Sequence, residues 1–179
     1  VPEYDEEIHY IEPFPVPKEW GWRWLEMIDP GSTAPTAYEL VAIDPKGRLY
    51  FMDELYMPGA RISEVVAAIK RLRERWGLLP AKDGQKVETT LIDPAAEAVK
   101  SQEIASDLQL YREQYRNQEL PGSIVKANNE KGIKRLRERF QPVQVPDDSP
   151  KGWKWDAQAY VTKNCPYLND QLINLVGEL

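Results

Sequence analysis

Three apolar, β-rich runs in this chain of 179 residues end on the same tripeptide, at Ile28-Asp29-Pro30, Ile43-Asp44-Pro45 and Ile92-Asp93-Pro94. Proline lacks a ladder donor and aspartate favours turns, so each tripeptide stops a strand and leaves a carboxylate at its carboxyl end. The first run alternates: Trp22, Trp24, Glu26 and Ile28 share one side, with Leu25 and Met27 on the other. That pattern predicts a strand over Trp20 to Ile28 with both faces covered, and it makes Trp22 and Trp24 core residues rather than stacking platforms. Ala37 to Ile43 and Arg48 to Leu55 follow as a hairpin. Their link, Asp44-Pro45-Lys46-Gly47, has proline in the second position of a tight turn, which accounts for Asp44.

Beyond the hairpin the period changes. Ile62, Val65, Val66, Ile69, Leu72 and Trp76 follow helical spacing, with Ser63 near the start and Gly77 near the end. Val87 to Ile92 is a short buried strand. Ile104, Leu108, Tyr111 and Tyr115 give a second helical stripe closed by Pro121-Gly122, and Ser123 to Ala127 reads as a short strand. Ile133, Leu136 and Phe140 form the seam of a basic helix, Gln141 to Lys154 is a loop or hairpin, and a last helix after Cys165-Pro166 uses Leu168, Leu172 and Leu175. The first three strands, with short connections, make an antiparallel meander, whereas strands separated by helices enter by crossovers and lie parallel. The expected fold is α/β, a mixed central sheet flanked by helices, on a plan that resembles ribonuclease H. It occupies residues 20–179; the Pro-rich, acidic stretch from Val1 to Glu19 has no period and reads as a linker or arm.

Composition limits the chemistry. One His and one Cys cannot assemble a zinc cage of nitrogen and sulfur ligands, and Cys165 alone cannot form an internal disulfide, so any bound metal is hard and oxygen-ligated. His9 lies in the arm, which leaves no Ser-His-Asp or Cys-His set; Cys165 reads as a packing residue. No apolar run approaches the roughly 18 residues of a membrane span. Asp29 and Asp93 stand at the carboxyl ends of two central strands, where such sheets bind ligands. If those strands are adjacent, the two carboxylates repel each other, and Mg²⁺ or Mn²⁺, which prefers carboxylate, water and phosphate oxygens, resolves the conflict. Two such ions, about 4 Å apart, suit phosphodiester hydrolysis. Glu54 is either a further carboxylate at this cleft or a solvated strand-end acid.

The formal charge of −6 argues against a tight electrostatic grip on nucleic acid. Basic residues nevertheless cluster at Lys70, Arg71, Arg73 and Arg75, and again at Lys131, Lys134, Arg135, Arg137 and Arg139, as solvated helix faces or as DNA-facing surfaces. Lys126 and Asn128 precede the second cluster, where a helix start favours phosphate, although Asn128 serves equally as the helix cap. Arg135 and Arg139 reach DNA if their face borders the cleft.

The run Trp20-Gly21-Trp22-Arg23-Trp24-Leu25-Glu26-Met27-Ile28-Asp29-Pro30-Gly31, then Pro35-Thr36-Ala37, Gly47-Arg48-Leu49-Tyr50 and Asp53-Glu54-Leu55-Tyr56, opens an ordered series. It continues through Ile92-Asp93-Pro94-Ala95, Lys126-Ala127-Asn128-Asn129 with Gly132-Ile133, and Cys165-Pro166-Tyr167-Leu168. In that order these segments resemble the nuclease domain of the large terminase subunit of tailed double-stranded-DNA bacteriophages. The resemblance implies an endonuclease that cuts concatemeric DNA during packaging, with Asp29 and Asp93 as metal ligands. It implies work in the host cytoplasm at the procapsid portal, beside a terminase ATPase domain, a portal protein and a small terminase subunit, on weakly and non-specifically bound DNA.

Two departures stand out. The third metal carboxylate of such domains follows the Cys-Pro segment, and before Leu179 only Glu178 and Asp170 offer substitutes, so the C-terminal end is expected to be truncated. Nothing fits the G-x-x-x-x-G-K-[ST] motif of the ATPase. Two other readings share parts of this pattern: a resolvase or transposase core, which lacks the Trp-rich entry, and a non-catalytic module that docks on the portal or motor.

Overall fold

The structure, a computed structural model, describes residues 2–18, 21–31, 34–82, 85–99, 101 and 104–174, with Ile133 by its backbone alone. Trp20, Leu175, Glu178 and the Ile133 side chain, all used above, lie outside it. Strand β2 (Arg23–Asp29) pairs antiparallel with β3 (Thr36–Ile43), which pairs antiparallel with β4 (Leu49–Met57). This is the expected meander. Helix α2 (Ile62–Arg75) crosses to β5 (Val87–Ile92), parallel to β2, and α3 (Asp107–Asn117) crosses to β6 (Ser123–Lys126), parallel to β5. Helix α4 (Asn129–Phe140) leads to a separate hairpin, β7 (Val143–Pro146) with β8 (Trp153–Asp156), then to β9 (Ala159–Thr162) and α5 (Pro166–Asn174). In space the large sheet runs β1-β9-β4-β3-β2-β5-β6, where β1 is Tyr10–Ile11. Among the described residues no helix is long and apolar enough to cross a membrane.

The two faces of the sheet carry separate cores because side chains alternate along each strand. Trp24, Ile28 and Tyr38 pack against Val66, Ile69 and Leu72 of α2 and Tyr111 of α3. On the opposite face Leu25, Met27, Val41 and Phe51 meet Phe140 of α4 and Leu172 of α5. Trp24 is almost wholly buried and Trp22 partly so, as their alternation required. Asp44 is buried in its turn: Oδ1 accepts from the Lys46 and Arg48 amides, each at 2.9 Å, and Gly47 takes the positive φ of 81° that such turns need.

Three details differ from the sequence expectation. Ile104 is exposed and precedes α3, whose N-cap is Ser106 in a capping box with Gln109; local capping overrode the apolar spacing. The four-residue strand β9 was not expected, being too short to show a period. The N-terminal stretch also carries structure, a short helix α1 (Glu6–His9) and β1, which pairs with β9. His9 is fully buried, stacks on Tyr4 and bonds the Phe140 carbonyl through Nε2 at 2.6 Å, while Glu3 pairs with Arg137 at 2.8 Å. These are contacts to α4 far along the chain, which no local pattern announces.

Candidate metal centre and nucleic-acid cleft

Strands β2 and β5 lie parallel with Met27 opposite Leu91 and Ile28 opposite Ile92, so the next rung sets Asp29 beside Asp93. The Asp93 amide donates to the Ile28 carbonyl at 3.2 Å, which carries the pairing to that rung. The two carboxylates feel each other: partial burial first, and the Asp93 charge second, push the Asp29 carboxyl above the ordinary aspartate range. After Asp29 the backbone folds back sharply. A Cβ on Gly31 would sit 1.8 Å from the Ala34 carbonyl oxygen, so only glycine fits there.

Asp93 is held at both oxygens. Oδ1 accepts from the Ala95 amide at 2.7 Å and caps a 3₁₀ turn over Pro94–Glu97, while Oδ2 accepts from Asn129 Nδ2 at 3.2 Å. Asp-Pro therefore starts a turn here and still presents a carboxylate beside Asp29. Asn129 belongs to the Lys-Ala-Asn-Asn segment, but its contact with Asp93 became visible only once β5 and the start of α4 were adjacent in space.

A cleft of about 780 Å³ opens over the pair, floored by Met27, Ala37, Glu39 and Leu91 and walled by α4. Lys126, Asn128, Arg135 and Arg139 all line it together with Asp29 and Asp93. Some have structural ties as well. Lys126 pairs with Glu97 at 2.6 Å, Asn128 caps α4 by accepting from the Lys131 amide at 3.2 Å, and Arg139 Nη1 donates to the Gly47 carbonyl at 2.5 Å.

Glu54 has different neighbours. On the rungs of the meander Asp29 faces Ala37 and Ala37 faces Tyr56, whereas Glu54 faces Glu39, two strands over and two residues back from Asp29. Standard sheet spacings put its Cα roughly 12 Å from that of Asp29. Both its oxygens are occupied, accepting from the Tyr167 amide at 2.7 Å and the Leu168 amide at 3.1 Å at the start of α5. Glu39, Glu54 and Cys165 each offer a ligand atom within 4.8 Å of the others, a spacing that can hold a metal ion. The donor chemistry fits a cation poorly: the buried Cys165 thiol donates to the Phe51 carbonyl at 3.4 Å, and burial raises its pKa strongly. Burial, then Glu54, also pushes Glu39 well up and favours its neutral form. Glu54→Ala orphans two helix amides and is expected to destabilise the protein by about 2 kcal/mol. Faster labelling of the buried Cys165 by a thiol reagent would report the loosened start of α5. Asp170 is exposed on α5.

No family model and no curated protein matches the sequence. Solved structures do match by shape. The nuclease domain of the P22 large terminase superposes with a TM-score of 0.62 at 14% identity, covering 95% of this chain and 75% of that one. The large terminase of the thermophilic bacteriophage D6E gives a TM-score of 0.62 at 13% identity over 96% of this chain and 36% of its own. The Mn-soaked terminase nuclease domain of human cytomegalovirus gives 0.52 at 12% identity, over 93% and 81%. The chain thus spans about a third of the D6E protein and most of the isolated nuclease domains. It has the ribonuclease-H-like fold of the viral large-terminase nuclease domains, a seven-stranded mixed sheet flanked by helices.

Proposed function

We propose that this chain is the metal-dependent endonuclease domain of a viral DNA-packaging terminase, hydrolysing double-stranded DNA at the Asp29–Asp93 cleft. The observation that carries the reading is the β2–β5 register, which sets two carboxylates side by side beneath a basic helix. Two like charges on adjacent strands repel each other, and a cation between them would relieve that repulsion. A raised Asp29 beside a half-buried Asp93 is a pair that a divalent cation stabilises, and oxygen donors of this kind suit Mg²⁺ or Mn²⁺. Held by Asp29 and Asp93, such a metal would supply Lewis-acid activation of a water and charge stabilisation for phosphodiester hydrolysis.

The chain's own residues do the rest. Asn129 and the Ala95 amide fix the Asp93 carboxylate in place, so its orientation needs no reorganisation on substrate binding. Lys126, Arg135 and Arg139 bring positive charge to the lining of the cleft that holds the carboxylates, where phosphates of a duplex would lie. The overall charge of −6 keeps that attraction weak. Weak affinity suits a nuclease to which an attached ATPase domain delivers DNA, with a portal and a small subunit as further partners, in the host cytoplasm at the procapsid.

The test is Mn²⁺ titration calorimetry with a plasmid-nicking assay. Mn²⁺ binding and Mn²⁺-dependent nicking that Asp29→Ala removes support the reading; unaltered binding in Asp29→Ala and Asp93→Ala sinks it. Arg135→Ala is expected to weaken duplex binding on all sequences alike and to lower the salt slope of log Kd by about one.

A further inference from the structure

Tyr56 is among the large apolar residues that the fold leaves exposed, at 44%, and it lies on the active rung. Asp29 faces Ala37, and Ala37 faces Tyr56, so all three project from the same face of the sheet. The Tyr56 ring packs on that of Tyr167 with centroids 4.0 Å apart. Tyr167 belongs to the first turn of α5, and its amide is the one that Glu54 holds at 2.7 Å. Asp29 therefore has Asp93, with Lys126 on the strand beyond it, to one side and an aromatic ledge to the other.

We infer that the Tyr56–Tyr167 ledge is a second contact surface for the DNA duplex, holding the backbone to one side of the phosphate that sits at Asp29 and Asp93. The inference rests on the nuclease reading above. Two strand spacings separate Asp29 from Tyr56, roughly 10 Å, which is about three base-pair steps of a duplex at 3.4 Å each. A single DNA backbone can therefore span both places. Phenol hydroxyls donate to phosphate oxygens, and the faces of the rings pack on sugars, without adding charge to a protein that is already acidic. Such contacts position the substrate without supplying sequence preference. Glu54 is then a positioning residue, because it fixes the start of α5 and with it the Tyr167 ring.

The experiment compares Tyr56→Ala, Tyr56→Phe, Tyr167→Ala and Arg135→Ala in the full chain, by fluorescence anisotropy of a labelled 30-base-pair duplex across a salt series. Loss of either ring is expected to raise Kd about tenfold, and loss of the Tyr56 hydroxyl alone about threefold, with the salt slope unchanged because no phosphate charge is neutralised. Mn²⁺ affinity should stay at the parent value in all four, which separates substrate positioning from damage to the metal centre. Kd values within twofold of the parent for both alanine variants, while Arg135→Ala still weakens binding, overturn the ledge and leave the nuclease reading standing. A parent chain that binds no duplex at any salt, or an Arg135→Ala variant as tight as the parent, counts against the nuclease reading itself and the ledge falls with it.

Discussion

Asp29→Ala and Asp93→Asn are each expected to reduce DNA cleavage by at least about a hundredfold, equivalent to about 2.7 kcal/mol of transition-state stabilisation, without unfolding the protein. The choice of asparagine at position 93 follows from the geometry. Asp93 also caps the turn over Pro94–Glu97, and an Asn side chain keeps an oxygen for the Ala95 amide, so a loss of cleavage in Asp93→Asn reports the missing charge. Thermal melts supply an independent readout. Excess Mn²⁺ should raise the Tm of the parent, because a ligand that binds only the folded state stabilises it by mass action, and should raise neither variant to the same degree. The pH dependence has a definite sign. A carboxyl whose pKa is raised by folding stabilises the native state below its unfolded pKa, and that contribution is lost as pH rises through the folded value. Without metal, the parent should therefore lose some stability as pH climbs through the weakly acid range, and Asp93→Asn should lose less, since it removes the second cause of the Asp29 shift. With Mn²⁺ present the slope should flatten, because the cation takes over the role of the proton.

How much of this was open to reading from residues alone depends on whether the signal was local. The hairpin was legible because Asp44, Pro45 and Gly47 each satisfy one requirement of a single turn. Strands β2 and β5 were legible by alternation and β-branching, and Ile-Asp-Pro marked their ends. That Asp29 and Asp93 would share a rung followed only conditionally, from the rule that helix-separated strands return parallel to the meander. The rest was tertiary. Glu54 carries the same chemistry as a ligand and as a helix anchor, and only the approach of Tyr167 and Leu168, more than a hundred residues on, assigns it to α5. The N-terminal stretch showed no period because its order comes from contacts to α4, α5 and β9 rather than from its own backbone: Tyr4 donates to Asn169 at 2.6 Å, and Glu6 accepts from Asn169 at 2.9 Å. Arg73 looked like one more surface cation of a basic helix, yet it is 1% exposed.

That buried arginine carries the largest expected effect on stability. Arg73 reaches from α2 to Glu26 in the middle of β2, with Nη2 at 2.5 Å from Oε1 and Nε at 2.8 Å from Oε2. Three hydroxyls complete the shell of the carboxylate, from Tyr38 at 2.5 Å, Thr90 at 2.7 Å and Tyr115 at 3.1 Å. Removing either charge leaves the other buried without a counter-ion, so Glu26→Ala and Arg73→Ala are each expected to cost about 3–5 kcal/mol. In a chain of this length that corresponds to a fall of roughly 6–20 °C in Tm. The double variant Glu26→Leu/Arg73→Met should recover much of the loss, since two apolar residues of similar volume bring no charge into the core. The three hydroxyls left behind set the limit of that recovery. A double-mutant cycle in urea measures the coupling; additive losses would mean that the pair contributes no mutual stabilisation. The network also bears on the site. Glu26 and Thr90 are partners in the β2–β5 register, three residues before Asp29 and Asp93, and a one-residue slip there would turn one of the two carboxylates to the opposite face. The Thr90 hydroxyl can reach the Glu26 carboxylate only in the observed register. Thr90→Val should therefore cost far less stability than Glu26→Ala, yet impair Mn²⁺ binding more than its stability loss alone accounts for.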